Sequence, residues 1–584
     1  MEKPYGRSPW LAHYEEKVPK AVTIPDETIP DVFDAAVRFN PPSPAYIFFG
    51  RRFAYAEMDR MAARFAVALA HLGVKKGDRV AIILPNLPQY PAAHYAVMKL
   101  GAIAVPTNPL YVERELEHQL NNSGATVAIA LDLLYKRVEA VRANTSLRAV
   151  IYTSVRDYLP LHLRLLYPIK AKREGTWVTI PAQAGTFQFV DLMQRAAKGE
   201  FPPAPKVELK PDDVAIFLYT GGTTGISKGA VLTHRNLVAN LAQLCAWNYG
   251  LRQGKEIIMG ALPFFHSYGM TTCLHIGIYI RGTVVLAPRF DLKMILPAVD
   301  KFKVTCFPGV PTMYVAINNH PDTPKYNLRN IRACNSGGAP LPLEVARKFE
   351  HITGGRLIEG YGLSETSPVT HSNPIFGERR EGSIGLPLPN TEAAVVDPET
   401  HQPLPPGEIG ELAVRGPQVM RGYWQMEAET AKVLRDGWLF TGDMARMDAD
   451  GYFYIVDRKK DMIIAGGFNI YPREVEEVLY KHPKVKEAAV IGVQDPYRGE
   501  TVKAFIVLRD GETATEEEII AYCKQELARY KVPKLVEFRK ELPKSLIGKV
   551  LRRVLVEEEK TKAQAHFDKK PVSPGDSLKA QVVS

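Results

Sequence analysis

The sequence predicts a multidomain α/β protein, with a large N-terminal domain of layered α/β sheets that includes a small β-barrel-like part, followed by a small C-terminal α+β domain. Three observations predict it. From Tyr55 to about Ser154, short apolar runs alternate with segments of helical periodicity, the pattern of a parallel sheet covered by helices. After about Asn390 the texture changes to short strands broken by Gly and Pro. Beyond Asp457 a compact mixture of helix and strand ends the globular part.

The elements follow in order. "AEMDRMAARFAVALAHLG" carries apolar residues at helical spacing, and "DRVAIILP" is a short buried strand. "QYPAAHYAVMKLG" reads as helix, "AIAVPTNP" as strand, "ERELEHQLNNSG" as helix and "ATVAIAL" as strand. "DVAIFLYT" is a strand that runs directly into a cluster of glycines, so that cluster sits at a strand's carboxyl end, where open α/β sheets bind their ligands. "TEAAVVDP", "GEIGELAVRGP" and "GYFYIVDR" are the short strands of the β-rich part. In the last domain "REVEEVLYKHP" and "TEEEIIAYCKQELARY" are helices, the second opened by a capping box from Thr515 to Glu518. "KEAAVIGV" and "KAFIVL" are strands between them. The expected division is residues 1–457, residues 458–553 and a polar tail over 554–584, the tail being loose because its charges are scattered and its apolar residues few.

Composition bounds the function. The 584 residues are 46% hydrophobic and 24% charged, enough for a sizeable core in an ordinary globular protein. The net charge of +10 favours anionic ligands or an anionic membrane surface. Basic residues are spread along the chain rather than gathered in an arm, so no nucleic-acid partner is expected. Cys245, Cys273, Cys306, Cys334 and Cys523 are odd in number and not spaced as metal ligands, which reads as reduced thiols in a cytoplasmic protein. The N-terminal residues lack a signal-peptide core, and no apolar run approaches the ~18 residues of a membrane span.

The chemistry starts at "YTGGTTGISKG", Tyr219 to Gly229. Glycine lets backbone N–H groups converge on an anion, threonine hydroxyls add donors, and Lys228 adds a mobile charge. The nucleotide-triphosphatase pattern G-x-x-x-x-G-K-[ST] does not fit, because Ser227 precedes and Gly229 follows Lys228. Four further segments sharpen the reading: "NSGGAP" (Asn335 to Pro340), "EGYGLSET" (Glu359 to Thr366), "WLFTGD" ending at Asp443, and "DRKKDMIIAGGFNIYP" (Asp457 to Pro472). "LPKSLIGKV", near the C-terminus, contains Lys549.

In this order and spacing the segments resemble the adenylate-forming superfamily of acyl-CoA synthetases, firefly luciferase and peptide-synthetase adenylation domains, over about Tyr55 to Arg553. "YTGGTTG" and "PFFHSYGM" look most like bacterial long-chain fatty acid–CoA ligases. The resemblance implies ATP and coenzyme A as substrates, with Mg²⁺ as the metal. A fatty acid carboxylate attacks the α-phosphate to give acyl-AMP and pyrophosphate, and a thiol then displaces AMP. Medium-chain or aromatic acids, or a carrier-protein thiol, are the alternatives.

The resemblance also implies roles. Thr220, Gly221, Gly222, Thr223, Thr224, Gly225 and Lys228 hold the phosphates that leave as pyrophosphate, and Glu365, with Thr223, binds magnesium. Tyr361 stacks on adenine opposite Gly338, Ala339 and Pro340, with Glu359, Gly360, Gly362 and Ser364 in the same nucleotide site. Asp443 accepts from the ribose hydroxyls, with Ile455 nearby, and Arg458 reaches ribose or phosphate. Lys549 bridges the substrate carboxylate and the α-phosphate, easing repulsion between two anions. Lys460 is the hinge on which a mobile C-terminal domain presents Gly466 and Gly467 to the thiol. His266 lies beside the acyl-adenylate, as a gate or polarising group or as a hydrogen-bonded core histidine. Gly222 stands where many relatives have Ser, and Ser227 where they have Pro. A homodimer is a family-level expectation.

One segment lies outside this scheme. "LPLHLRLLYPIKAKREG", Leu159 to Gly175, mixes leucines with Arg164, Lys170, Lys172 and Arg173, a composition suited to peripheral contact with an anionic membrane at its inner face. Its two prolines favour a packed insertion with a solvated basic edge instead.

Overall fold

A computed structural model describes residues 8–220, 227–465, 468–495, 498–545 and 550–567. The chain divides into two compact units, residues 1–441 with 445–455, and residues 442–444 with 456–584.

The first unit is built on a seven-stranded sheet. Its strands, in spatial order, are Thr186–Gln188, Ala149–Thr153, Val127–Leu131, Arg79–Ile83, Ile103–Pro106, Val214–Thr220 and Lys228–Thr233. All neighbours are parallel except the last pair. Val127–Leu131 is buried at every residue, as a strand covered on both faces must be, which explains its unbroken apolar run. The helix Glu113–Ser123 ends at Gly124, whose φ of 63° places it in the left-handed region. The multidomain α/β class read from the sequence is the class observed.

Two four-stranded sheets continue the unit. One runs Ile257–Gly260, Thr283–Leu286, Pro44–Phe48, Arg51–Ala54, and the other Ala333–Ser336, Arg356–Gly362, Val369–Ser372, Leu386–Pro387. Cys306 links them, bridging Ile258 on one side and Ala333 on the other. A core of Met259, Val285, Phe307, Tyr314, Phe349 and Leu357 packs against these strands. The β-rich part is a five-stranded sheet formed by Glu392–Val396, Gly410–Arg415, Trp438–Met447, Leu434–Arg435 and Phe453–Arg458.

The second unit has its own sheet, Phe468–Ile470, Ile463–Ala465, Gly499–Leu508, Val485–Asp495, with Leu535–Phe538 on Gly499–Leu508. Helices Pro472–Lys481 and Glu516–Glu526 bury Val475, Leu479, Ile519 and Cys523 against it. Thr515 caps the second helix by accepting from the Glu518 N–H at 3.2 Å. The Glu518 carboxylate pairs with Lys484 at 2.8 Å, and the reciprocal half of the expected capping box does not form. Residues Arg552–Phe567 form a helix whose Leu555 is fully buried beside Ala489 and Phe505, where the sequence reading expects a loose tail. One well-placed leucine and its neighbour Val556 anchor an otherwise polar segment.

Four of the five cysteines are buried and all are free thiols. Burial pushes the Cys245 and Cys273 thiols up to about 12, which leaves them inert at neutral pH. Among the described residues, no helix is long and apolar enough to cross a membrane.

Candidate active site

Strand Val214–Thr220 turns back on Lys228–Thr233 as an antiparallel hairpin, with Thr220 opposite Lys228. The glycine cluster is the connection, and its two ends are tied where Ser227 Oγ donates to the Thr220 carbonyl at 2.6 Å. Gly221, Gly222, Thr223, Thr224 and Gly225, named above as phosphate-holding residues, lie outside the described residues.

Lys228 projects from the hairpin toward two groups. Its ammonium pairs with the Glu429 carboxylate and lies 5.2 Å above the Tyr423 ring. The lysine beside Glu429, with Lys432 adding to it, holds that carboxyl down to about 2. The Tyr423 hydroxyl donates to Glu365 Oε1 at 2.8 Å, so one aromatic side chain spans the lysine and the proposed metal ligand. Glu365 sits in the short 3₁₀ turn Ser364–Thr366, whose backbone is fixed where the Met420 N–H donates to the Glu365 carbonyl at 2.8 Å.

The two other glycine segments meet beside this turn. Strands Ala333–Ser336 and Arg356–Gly362 are parallel, with Ser336 opposite Glu359, so their carboxyl ends lie together. Gly338 follows the first strand with φ of 79°, a conformation that favours glycine, and leads into Ala339 and Pro340. Gly360 packs against Asn335, whose Oδ1 a Cβ would approach to 2.9 Å, and at Gly362 a Cβ would lie 2.0 Å from the Pro368 carbonyl oxygen. Close backbone approach therefore explains the "GYG" spacing around Tyr361. Tyr361 is half-buried and meets His371 edge-on, the ring centroids 6.0 Å apart. The Leu341 N–H donates to Glu359 Oε2 at 3.3 Å, tying the two loops to each other.

His266 caps the turn Ser267–Gly269, its Nδ1 accepting from the Tyr268 N–H at 3.2 Å. Ser267 Oγ and Ser364 Oγ are 3.2 Å apart, which brings this segment against the Glu365 turn. The π-helical turn Met270–His275 follows, a distortion often found at functional sites. The Tyr268 hydroxyl donates to the Asn335 carbonyl at 2.6 Å and joins His266's segment to the "NSGGAP" loop. Thr220, Lys228, His266, Gly338–Pro340, Glu359–Gly362, Ser364 and Glu365 are thus brought together within the first unit.

In the second unit Asp443 is almost fully buried and pairs with Arg458 Nε at 2.6 Å. The Lys459 N–H donates to the Gly442 carbonyl at 3.0 Å, holding the two segments side by side. Asp457 accepts from the Arg458 and Arg473 N–H groups, both at 2.7 Å, and pairs with Arg552. Arg552 also pairs with Asp461 and Glu476. Burial and nearby cationic side chains lower the affinity of Lys460 for its proton, opposed by Asp461. Ile455 lies half-buried on strand Phe453–Arg458, within the first unit. Gly466, Gly467 and Lys549 lie outside the described residues.

Tyr423 and Glu429 are functional candidates that no sequence motif marked. Both fall in "RGYWQMEAET", an unremarkable polar stretch, and Tyr423 is 58 residues from Glu365. Only tertiary placement reveals them.

The AMP-binding enzyme family model matches residues 33–424, and the AMP-binding enzyme C-terminal domain model matches residues 474–549. A long-chain-fatty-acid–CoA ligase of Bacillus subtilis is 48% identical over 555 residues, covering 95% of this chain and 98% of that protein. A long-chain-fatty-acid–CoA ligase of Escherichia coli O6:H1 is 40% identical over 560 residues, with 95% and 98% coverage. A feruloyl-CoA synthase of an Amycolatopsis species is 38% identical over 516 residues, 88% of this chain and 96% of that one. Among solved structures, ATP-bound MatB from Rhodopseudomonas palustris superimposes with a TM-score of 0.78 at 31% identity, covering 91% of this chain and 99% of that chain. The anthranilate CoA ligase AuaEII in complex with anthranoyl-AMP gives a TM-score of 0.80 at 27% identity, with 93% and 99% coverage.

Proposed function

The chain belongs to the AMP-binding enzyme family, and on that premise we propose that it is a long-chain fatty acid–CoA ligase. A carboxylate oxygen of the fatty acid attacks the α-phosphorus of ATP, the bond to pyrophosphate breaks, and acyl-AMP forms. The thiolate of coenzyme A then attacks the acyl carbon and AMP leaves. The observation that carries this reading is the near full-length likeness to long-chain-fatty-acid–CoA ligases, with Lys228, Tyr423 and Glu365 gathered beside the two glycine turns.

Each residue has a proposed task. Lys228, with Thr220 to Gly225, steadies the β- and γ-phosphates, and Glu429 serves as its counter-ion until the triphosphate arrives. Tyr361 and the Gly338–Pro340 turn take the two faces of adenine, with Glu359, Gly360, Gly362 and Ser364 shaping that slot. Asp443 accepts from the ribose hydroxyls, Ile455 belongs to the same nucleotide site, and Arg458, paired with Asp443 before the nucleotide arrives, reaches ribose or phosphate. Lys549 supplies the cation that relieves repulsion between carboxylate and α-phosphate. Lys460 is the hinge used between the two half-reactions, on which the small domain turns to present Gly466 and Gly467 to the thiol. His266 borders the acyl carboxylate.

The Glu365 site fits magnesium, because a hydroxyl-oriented carboxylate complements phosphate oxygens in the hard-oxygen set this ion takes. When bound, with Thr223 as a second protein ligand, the ion offsets the charge on the departing pyrophosphate.

We assign residues 1–457 to the adenylating domain and 458–553 to the C-terminal domain, supported by the division at Ile455/Val456, with the first part of the expected tail, to Phe567, packed as a helix on the second unit. A cytoplasmic enzyme that meets the inner face of the membrane peripherally, and a homodimer, complete the proposal. The feruloyl-CoA synthase relative favours one second reading, the same chemistry on an aromatic acid.

Pyrophosphate release from MgATP with carboxylic acids from butyrate to stearate, plus ferulate, with and without coenzyme A, tests both readings. Turnover that peaks at long chains and requires coenzyme A to be sustained is expected. A maximum at ferulate selects the second reading, and no release with any acid defeats both.

A further inference from the structure

We propose that the outward face of the helix Leu161–Arg173 is a docking surface for an anionic lipid bilayer. The packed insertion expected from the sequence accounts for one side of this helix and leaves the other unexplained. Pro160 stands at the helix N-cap and Pro168 lies within the helix, so neither proline prevents it. Ala171 is the only buried residue of the helix, and Leu163 and Tyr167 on the same side are half-buried.

The other side faces water with the wrong residues for water. Leu161 is 71% exposed, Leu165 68%, Leu166 59% and Ile169 69%. Leu161, Leu165 and Ile169 are four residues apart and form one stripe along the helix, with Leu166 beside it. A helix that rests on its own protein and ends in solvent carries polar residues there. Four large aliphatic side chains so exposed on thirteen residues make a patch that calls for a partner.

Charge identifies that partner. The helix holds Arg164, Lys170, Lys172 and Arg173 and no acidic residue, and Glu174 just beyond it approaches Lys170 at 3.9 Å. Arg156 and Lys172 lie 5.3 and 5.7 Å from the ring centre of Trp177, an aromatic of the kind that settles at headgroup level. Tyr158, three residues before the helix, lines a cleft of about 380 Å³ whose walls include Arg51, Arg60 and Arg64. Arg60 and Arg64 are exposed on one helix face, and Arg51 is offset by Glu57 at 2.9 Å. Leucines flanked by long basic side chains match a bilayer surface in depth, because the aliphatic groups enter the acyl boundary while the cations remain at the phosphates. The surface does not depend on the ligase reading, although under that reading it places the enzyme where long-chain acids accumulate.

Co-sedimentation of the full chain with vesicles tests the proposal, comparing phosphatidylcholine alone with equal parts phosphatidylcholine and phosphatidylglycerol. Binding to the anionic vesicles is expected, with loss on moving from roughly 20 mM to roughly 500 mM salt. Lys170→Ala/Lys172→Ala/Arg173→Ala weakens binding by about fivefold per charge removed. Leu165→Asn/Leu166→Asn/Ile169→Asn weakens it about tenfold or more, with the melting temperature and octanoate-dependent pyrophosphate release unchanged. No binding of the unmodified chain at low salt, or equal binding by the asparagine variant, overturns the proposal. A change in oligomeric state of that variant without vesicles also overturns it, by assigning the face to self-association. Failure of the ligase reading shows separately, as absent pyrophosphate release.

Discussion

Replacing Tyr423 with Phe removes one hydroxyl and leaves the ring. That hydroxyl donates to Glu365 Oε1 at 2.8 Å, while the ring lies 5.2 Å below the Lys228 ammonium. The substitution therefore separates orientation of the carboxylate from support of the lysine. A hydrogen bond to a charged group contributes ~1.5–3 kcal/mol, and because both side chains are half-buried the lower part of that range applies. A loss of about 1.5–2 kcal/mol converts to roughly 10–30-fold in kcat/KM for acyl-AMP formation. The Glu365 turn keeps its backbone bond from Met420, so the fold and melting temperature hold. The assay is initial pyrophosphate release at fixed ATP across a Mg²⁺ titration. Tyr423→Phe is expected to raise the Mg²⁺ needed for half-maximal rate, and Tyr423→Ala to lose further rate by removing the ring under Lys228. If Tyr423→Phe stays within twofold of the parent in both rate and Mg²⁺ dependence, the hydroxyl does not orient a metal ligand and the reasoning fails.

Three further outcomes are expected. Lys460→Pro should affect acyl-AMP formation and thioester formation unequally when the two half-reactions are timed separately; equal losses in a folded protein would count against a hinge there. Asp443→Asn removes the carboxylate charge paired with the partly exposed Arg458 and should cost about 1–2 kcal/mol of stability in thermal melts, together with at least a tenfold rise in KM for ATP; an unchanged KM would exclude Asp443 from the ribose site. His94 and His275 share a hydrogen bond of 2.9 Å in the core, where burial and the neighbouring His234 hold His94 down to about 3 and burial keeps His275 well below its ordinary value. Both stay neutral in the native state, while the unfolded chain protonates them below pH ~6.5, so their contribution is complete above that pH and is lost as pH falls. Stability should decline by ~2.7 kcal/mol per pH unit below about pH 6 from this pair, and His94→Gln/His275→Gln should flatten that slope; parallel slopes between pH 7 and 5 would show that the pair does not titrate on unfolding.

The sequence carries the fold where one local rule decides the outcome. Val127–Leu131 is an uninterrupted apolar run because it is covered on both faces, and Thr515 announces a helix start. The candidate site is legible where close backbone approach demands glycine, as at Gly338, Gly360 and Gly362. Tyr423 and Glu429 were illegible because their chemistry depends on neighbours 58 and 201 residues away. His94 and His275, 181 residues apart, escape for the same reason. The helix Arg552–Phe567 was hidden by its polar composition, since one buried leucine is too weak a signal in sixteen residues. In Leu161–Arg173 the two prolines do not forbid a helix, because Pro160 occupies the cap and Pro168 is accommodated within it.

The most direct test of the central claim is a single turnover with α-labelled ATP, palmitate and excess enzyme, quenched before and after a coenzyme A chase. The account predicts that label accumulates in palmitoyl-AMP without coenzyme A and passes to AMP on the chase as palmitoyl-CoA appears. Label released as ADP, or palmitoyl-AMP that coenzyme A does not discharge, would contradict it.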